Sequence, residues 1–435
     1  MRLQLNCNTM KYKNIKKAIS TASIAALGVT NASDSIIDRM DFNGTLLFYS
    51  EPDRVSAVEA IFDSKYYMKN NDVLGLKITV DVLTGASASG AVTTDVDQTF
   101  TTPSGNGLYT TRANETPLDD TFKDTRISLS PSWTRRWNSN YKSVIGATIS
   151  KEYDYLSLSA NTMLSYNTDD NNRIYSLGLT FAHDTISPEG DIPIAFGVMQ
   201  DVGALQPRLG TDDTRITADL LLGITQVIDS KSLFQINYSA SASDGYHNDP
   251  FKVLSVIGAD GRPVIENTTT GLSSAVFENR PDSRLKQSLY FQYKRDMFDS
   301  HVLDASYRFM FDDWGVTSHT LDVKYKYRLN DVSYLQPHAR IYQQSEADFY
   351  MPFIVSGKEP GAGSSSSHAS ADYRLGEMTG YTIGLEYGRD NVDRPWSIAL
   401  EYYLQDLGDI KGAFGGINSK AEDVSAVMLR FNMDF

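Results

Sequence analysis

The sequence has very little cysteine, a shortage of positive charge and no long apolar run. Cys7 is the only cysteine among 435 residues. It lies in a segment that we expect to be removed, so the mature protein is predicted to contain no disulfide and no thiolate metal site. No stretch approaches the roughly 18–20 apolar residues of a membrane-spanning helix. Lys and Arg number 40 against 54 Asp and Glu, a formal charge of −14, and no basic patch is interleaved with aromatic residues. Helical membrane spans are therefore excluded, and nucleic acid is not expected as a partner.

The N-terminus has the features of an export signal. The basic residues are Lys11, Lys13, Lys16 and Lys17. A weakly apolar segment, 18–29, follows them, and the small residues Thr30 and Ala32 define a cleavage site before Ser33. Met10 is the better start because it gives a signal of ordinary length. The alternative is an amphipathic N-terminal helix, but this Ser/Thr/Ala-rich run has no charged face. We expect a signal peptide over 1–32 and a single exported domain over 33–435.

Beyond the signal, apolar and polar residues alternate with a period of two. In the segment 317–329, Leu321 and Val323 alternate with Asp322 and Lys324. Strand side chains point alternately to opposite faces, so each such segment has one apolar and one polar face. A helical period would instead scatter the apolar residues around the helix. About sixteen strands (14–16) are predicted, at 42–50, 54–68, 72–84, 124–136, 141–152, 154–167, 173–184, 214–228, 232–243, 284–296, 300–313, 316–329, 333–348, 378–388, 395–406 and 424–435.

The connections between these strands are of two kinds that alternate along the chain. Short polar turns lie at 69–71, 138–140, 168–172, 229–231, 295–299, 330–332 and 389–394. Long loops lie at 85–123, 185–213, 244–283, 350–377 and 407–423, and hairpins near Tyr153 and Trp314 share their side. A soluble sandwich has no reason to sort its loops in this way. The pattern predicts an all-β fold, a transmembrane antiparallel up-and-down barrel of the Gram-negative outer membrane, with short periplasmic turns and long extracellular loops.

The last predicted strand ends at the C-terminus in an aromatic residue. Val427, Leu429, Phe431 and Met433 alternate with polar residues, and Phe435 is terminal. This ending resembles the signal that outer-membrane assembly machinery reads, although a strand can also end in an aromatic residue by chance. The expected partners are therefore the assembly machinery, outer-membrane lipid and lipopolysaccharide.

The polar faces of the strands carry charge, and the cost of placing it in lipid decides where it points. Lys or Arg at the bilayer midplane costs about 2–4 kcal/mol, so the basic residues of 324–328 are expected to face the lumen. If the turn at 330–332 sets the register, His338 lies near Lys324 and Arg340 lies near Asp322. The polar cluster predicted for the lumen comprises Asp304, Arg308, Asp312, Asp322, Lys324, Lys326, Arg328, His338, Arg340, Glu346 and Asp348. It could line a pore constriction or bind an ionic solute. Alternatively, it only solvates and cross-links a water-filled or plugged lumen.

No arrangement of residues predicts catalysis. None of the six histidines has metal-ligand spacing, and no G-x-S-x-G motif is present. We therefore predict no catalytic residues, no metal site and no cofactor. The acidic loops could bind Ca²⁺ or Mg²⁺, directly or as bridges to lipopolysaccharide, but without EF-hand spacing solvated loop charge is favoured. Their acidic residues are Asp95, Asp97, Glu115, Asp119, Asp120, Asp212 and Asp213.

Several segments resemble the bacterial domain-of-unknown-function family 3570. They are Asp81-Val82-Leu83-Thr84-Gly85-Ala86-Ser87-Ala88-Ser89-Gly90-Ala91, Phe122-Lys123-Asp124-Thr125-Arg126, Tyr307-Arg308, Asp312-Asp313-Trp314-Gly315, His319-Thr320, Pro337, Arg340-Ile341-Tyr342, Ala347-Asp348-Phe349-Tyr350 and Asp372-Tyr373-Arg374-Leu375-Gly376. The resemblance spans roughly residues 40–435. It implies an exported outer-membrane β-protein, with no assigned activity and no catalytic residues.

The first of these segments closes a strand and enters a long loop. Its motif residues are Asp81, Thr84, Gly85, Ala86, Ser87 and Gly90. The glycines permit positive φ and tight turns. The loop could fold inward and narrow the pore, or it could form a plain extracellular turn.

Three functions are compatible with the sequence. The first is a channel or transport barrel for a small polar or charged solute. The second is a closed barrel that serves as an accessory or anchoring component of a periplasmic redox or metal-handling system. The resemblance hints at it, because members of the family tend to be encoded near periplasmic thioredoxin-like proteins and flavin transferases, and it would add periplasmic partners. The third, an outer-membrane hydrolase, is less favoured because no nucleophile constellation is visible.

Overall fold

Sixteen antiparallel strands close into one barrel. The structure is a computed structural model that describes residues 39–102, 105–119, 123–298, 300–358, 360 and 367–435. Each strand pairs with its neighbours along the chain, and the last strand pairs with the first. The strands are β1 (Met40–Ser50), β2 (Val55–Tyr67), β3 (Val73–Gly85), β4 (Lys123–Arg136), β5 (Tyr141–Lys151), β6 (Tyr155–Asn167), β7 (Arg173–Ile186), β8 (Asp213–Asp229), β9 (Ser232–Gly245), β10 (Ser283–Met297), β11 (His301–Asp312), β12 (Thr317–Arg328), β13 (Ser333–Gln344), β14 (Met378–Arg389), β15 (Trp396–Asp406) and β16 (Val424–Asp434). The predicted fold class is confirmed.

Helix plays almost no part in the described residues. A 3-10 turn, Tyr373–Leu375, follows Asp372, whose side chain accepts a hydrogen bond from the Arg374 backbone N–H. The described part of the chain contains no helix whose length and hydropathy would suit a membrane span.

The outer wall of the barrel is apolar, as the alternation predicts. Leu321 is 48% exposed, Leu400 56% and Ile383 68%, and these side chains project from the outer faces of β12, β15 and β14. Their strand neighbours of opposite parity face the lumen. The short turns and long loops also lie on opposite ends of the barrel. Asn71 and Asn171 adopt positive φ in two of the short turns, a conformation that Asn tolerates better than most residues.

The register of the β12–β13 pair confirms the sequence prediction. Asp322 lies opposite Arg340, and Lys324 lies opposite His338. The predicted length of β13 is wrong, however, because the strand ends at Gln344 and not at 348. Glu346 and Asp348 therefore lie beyond the strand.

The apolar residues just after β13 explain why it stops early. Ala347 and Phe349 pack with Trp314 and Leu375 in a buried cluster. The Asp348 backbone N–H donates to the carbonyl oxygen of Trp314 at 2.8 Å. Burial of these side chains draws the chain away from the barrel wall.

The long loops form a folded unit over one mouth of the barrel, which we call the cap (86–119, 187–212, 246–282, 345–377 and 407–423, as far as they are described). Its small sheets join Ile192–Pro193 with Arg208–Gly210, Ser87–Ala88 with Leu118–Asp119, Ala275–Phe277 with Val253–Ile257 and Ile354–Val355, and Ile265–Asn267 with Leu272–Ser273, Gln98–Thr101 and Leu108–Thr111. Phe100, Leu254 and Ile257 are fully buried in it. The cap has its own hydrophobic core.

Some predictions lie outside the described residues. These are the signal peptide 1–32 with Cys7 and Met10, together with Asp120 and Phe122.

Candidate solute-binding site

A groove on the lumenal wall contains five of the eleven residues of the predicted polar cluster. It has a volume of about 290 Å³. It is lined by Tyr290, Gln292, Asp304, Ser306, Arg308, Thr320, Asp322, Lys324 and Arg340. These residues alternate along β10, β11, β12 and β13, so their side chains share the inner face of four adjacent strands. The inner faces of these strands carry more basic than acidic side chains, although the whole chain is acidic.

Both carboxylates of the groove already have partners. Asp304 lies 2.9 Å from Lys294 Nζ and accepts a hydrogen bond from Gln292 Nε2 at 2.7 Å. Asp322 Oδ2 lies 2.9 Å from His338 Nε2, and the other ring nitrogen, Nδ1, lies 2.9 Å from Glu401 Oε1. Because carboxylate oxygens accept hydrogen bonds, this geometry suits a ring that carries a hydrogen on each nitrogen. His338 therefore bridges the carboxylates of Asp322 and Glu401.

Three cations of the same groove are left without such a partner. The side chains of Arg308, Lys324 and Arg340 make no hydrogen bond and no ion pair within 4 Å to any described residue. At longer range, Lys324 interacts electrostatically with Glu401 and Arg340 with Tyr403. Other cations of the inner wall do have a carboxylate partner. Arg126 Nε lies 2.7 Å from Asp81 Oδ1, a distance typical of a charge-assisted hydrogen bond. The groove thus concentrates uncompensated positive charge.

Lys326 and Arg328 lie apart from the groove, at the short-turn end of the barrel. Both contact Asp390 in the turn between β14 and β15, each at 2.5 Å. The hydrogen bond from Arg328 is the main cause that lowers the pKa of Asp390 to about 2. Lys326 also lies 3.9 Å from the centre of the Tyr334 ring. Lys326 and Arg328 therefore stabilise the turn between β14 and β15.

The remaining members of the predicted cluster lie at the cap end. Asp312 pairs with Arg284 at 2.5 Å. Glu346 pairs with Lys411 of another long loop at 2.8 Å. Asp348 packs over Gly315, where an added Cβ would lie 2.2 Å from Asp348 Oδ1. The structure therefore brings together Asp304, Arg308, Asp322, Lys324, His338 and Arg340, and it separates the rest.

The predicted loop motif joins the barrel to the cap. Its first residue, Asp81, is the partner of Arg126. Gly90 has φ +91°, and a Cβ there would lie 2.7 Å from the Val253 carbonyl oxygen, so the backbones approach too closely for a larger residue. Lys252 Nζ donates to the Ala88 carbonyl oxygen. The loop folds over the mouth and is not a plain turn.

A cavity of about 790 Å³ lies between the cap and the barrel wall. Its wall includes Ser87 of the loop motif, Arg215 of β8 and the hairpin residues Glu152 and Asp154. Burial is the main cause that raises the pKa of Glu152 to about 7, and Asp124 adds to it; burial also raises the pKa of Asp154. The cavity adjoins the cap-side ends of the strands.

An ion-pair network inside the cap borders this cavity and has no signal in the sequence pattern. Arg280 Nη2 donates to Asp372 Oδ2 at 2.8 Å and to Glu278 Oε2 at 3.0 Å. Arg374 Nη2 reaches Asp372 at 2.6 Å and Asp249 at 2.7 Å. Glu278 and Asp372 side chains are each 1% exposed. Burial raises the pKa of Glu278 to about 7, and the same network holds the pKa of Asp372 below its usual range.

The acidic loop residues show no arrangement for a cation. Asp95 pairs with Arg262 at 3.1 Å, and Asp97 accepts a hydrogen bond from the Ala113 backbone N–H at 2.9 Å. Among the described residues, no group of three or more His, Cys, Asp or Glu could hold a metal ion. Cation binding by the loops stays a prediction.

Phe435 lies at the seam where the barrel closes. Its backbone N–H donates to the Phe42 carbonyl oxygen at 3.0 Å. Its ring packs against the buried cluster of Met40 and Phe42, as do Phe62 and Tyr66. This position suits a residue that helps close the barrel.

A family comparison agrees with the resemblance. The family described as "Protein of unknown function (DUF3570)" matches residues 16–435. This chain belongs to that family. Four of the segments that carry the resemblance meet in pairs near the junction of cap and barrel, where Asp81 pairs with Arg126 and the ring centres of Trp314 and Phe349 lie 5.1 Å apart. The predicted family is confirmed.

Solved structures with a similar barrel are distant. A mutant of the ferric enterobactin receptor PfeA from Pseudomonas aeruginosa has 10% identity and a TM-score of 0.44, over 90% of this chain and 59% of that one. The siderophore receptor PirA from Pseudomonas aeruginosa has 7% identity and a TM-score of 0.42, over 91% and 61%. CdiB from Acinetobacter baumannii has 9% identity and a TM-score of 0.44, over 91% and 60%. The chain thus spans about three fifths of each of these structures. A search of curated proteins finds no match to this sequence.

Proposed function

We propose that this protein is a barrel of the Gram-negative outer membrane that admits a small charged solute to its lumen. One observation carries the proposal, namely the closed barrel with an apolar outer wall and a charged inner wall. An apolar wall of this kind is stable against hydrocarbon, whereas basic residues on it would cost about 2–4 kcal/mol each at the midplane. Lipid and lipopolysaccharide would then surround the barrel.

The cap controls access in this proposal. Its loops cover the mouth at the long-loop end, and the cavity of about 790 Å³ beside them is the space through which a solute would reach the lumen. The ion pairs of Arg280 and Arg374 hold the cap together beside that cavity. We expect the intact protein to conduct in small or intermittent steps, and a loosened cap to conduct more.

Planar-bilayer recording tests the proposal. Purified protein, refolded in detergent and shown to be folded by its heat-modifiable gel mobility, should insert and give stepwise currents in KCl. The variant Arg280→Met should give larger or longer steps. A folded barrel that never conducts, in the wild type and in Arg280→Met alike, would overturn the proposal.

A further inference from the structure

Arg308, Lys324 and Arg340 lie on three adjacent strands, in three successive rows of the inner wall. The pairing register places Ser306, Asp322 and Arg340 in one row. Arg308 lies one row towards the cap, and Lys324 lies one row towards the short turns. Neighbouring strands are about 4.8 Å apart and rows about 7 Å apart. The three cations therefore surround one small area of the wall.

The single carboxylate at the centre of this area cannot neutralise all three cations. Asp322 is bound to His338, and His338 is bound to Glu401 as well. Asp304, the other groove carboxylate, is bound to Lys294. Like charges this close repel each other, and the repulsion falls when an anion enters. The unbalanced charge of the groove is thus positive.

The neutral groups that line the groove also suit an oxyanion. Ser306 and Thr320 offer hydroxyl groups, and Tyr290 offers a phenol. Arg308 and Arg340 each present a planar fork of N–H donors that matches two oxygens of a carboxylate or phosphate, and Lys324 adds a compact charge. A volume of about 290 Å³ fits a small molecule.

We infer that Arg308, Lys324 and Arg340 form a lumenal binding site for a small oxyanion that bears carboxylate or phosphate groups. The inference rests on the proposed function for its transport role, because it names the class of solute that the barrel admits. Binding itself is independent of conductance and is measured separately.

The test compares three proteins. The first is the wild type, and the second carries Arg308→Gln, Lys324→Gln and Arg340→Gln. The third is a matched control, Arg126→Gln with Asp81→Asn, which removes a paired cation and its carboxylate from the inner wall outside the groove and leaves the net charge unchanged. Heat-modifiable mobility establishes that each one is folded.

Two readouts separate the inference from the proposed function. In bilayers under a KCl gradient, the wild type and the control should be anion-selective, and inorganic phosphate and citrate should each reduce the chloride current. In the triple variant the half-blocking concentration should rise about tenfold or more, because charge-assisted hydrogen bonds are lost. Equilibrium dialysis of the detergent-solubilised protein against the same two probes should show the same order of affinity. Glycerol, which is neutral, should have no effect on either readout.

The outcomes are distinct. Channels that are cation-selective, or blocking that is equal in all three proteins, would overturn the inference and leave the proposed function standing. Binding of phosphate or citrate by a protein that never conducts would overturn the proposed function and support the site. A preference for citrate over phosphate, or the reverse, would assign the carboxylate or the phosphate class.

Discussion

Asp322 Oδ2 lies 2.9 Å from His338 Nε2, although the residue opposite Asp322 in the β12–β13 pair is Arg340. The imidazole bridges Asp322 and Glu401 and so keeps Arg340 available. A histidine thus decides which cations of the groove are neutralised.

Replacing His338 should return Asp322 to Arg340. In His338→Gln the carboxylate gains a free oxygen and Arg340 is its nearest cation across the strand pair, so anion selectivity should fall about threefold. The control His319→Gln removes a histidine from the outer wall, where it contacts Tyr307, and should leave selectivity unchanged. Reversal potentials measure both. Unchanged selectivity in His338→Gln would show that His338 does not hold Asp322 away from Arg340.

The cap should depend on Arg280 far more than on an exposed pair. Arg280→Met leaves Glu278 and Asp372, each 1% exposed, without their shared cation. Breaking a buried pair in this way costs about 3–5 kcal/mol. Arg262→Met is the matched control, since its pair with Asp95 is exposed and is therefore screened by water and salt. Limited proteolysis of folded barrels should cut the cap in the first variant and spare it in the second. Equal resistance of both variants would contradict this assignment.

The stability of the cap should fall as pH rises from about 5 to 7. Burial raises the pKa of Glu278 from 4.5 to about 7, so the folded cap holds a proton that the unfolded chain has already lost. The stabilisation of the folded cap by this proton on Glu278 is complete below pH 4.5 and disappears as pH passes through 7. Asp372 has the opposite shift, which acts below the ordinary aspartate pKa and does not offset it in this window.

Hydrogen exchange of the cap amides at pH 5.5 and 7.5, corrected for intrinsic rates, measures this dependence. In Glu278→Gln the carboxyl no longer titrates, and the difference between the two pH values should shrink. A wild-type cap that is more protected at pH 7.5 would have the wrong sign.

Loss of the terminal ring should impair closure of the barrel. Phe435→Ala removes packing against the buried cluster of Met40 and Phe42 at the seam, a loss of about 2 kcal/mol. The control Phe181→Ala changes a ring on the outer wall of β7, which is 62% exposed and lies away from the seam. The heat-modifiable fraction in isolated outer membranes should fall in the first variant and change little in the second. Equal yields would show that the ring contributes nothing to assembly.

Alternation along the strands and the short turns between them were sufficient to predict the barrel and the pairing register of β12 with β13. Each strand repeats apolar and polar residues with period two, and the short turn after Arg328 sets the pairing of Asp322 with Arg340. Both signals are local, because a strand and a tight turn are specified within a dozen residues.

The cap could not be predicted in this way. Its sheets pair residues far apart in sequence, such as Val256 with Ile354, and its strands of two to five residues are too short to show a period. The misplacement of Glu346 and Asp348 has the same origin. Their alternation continues that of β13, but burial of Ala347 and Phe349 against Trp314 outweighs it. Likewise, residue spacing cannot reveal that Asp322 pairs with His338 and not with Arg340, because this choice depends on side-chain geometry.

A cysteine scan across β12 tests the central claim most directly. Single cysteines at positions 321, 322, 323 and 324, in a Cys7→Ser background, are spin-labelled in lipid bilayers, and their accessibility to oxygen and to a water-soluble nickel chelate is measured. The barrel described here predicts that positions 321 and 323 favour oxygen and that 322 and 324 favour the chelate. Water-accessible labels at 321 and 323, or lipid-accessible labels at 322 and 324, would contradict an apolar outer wall around a charged lumen.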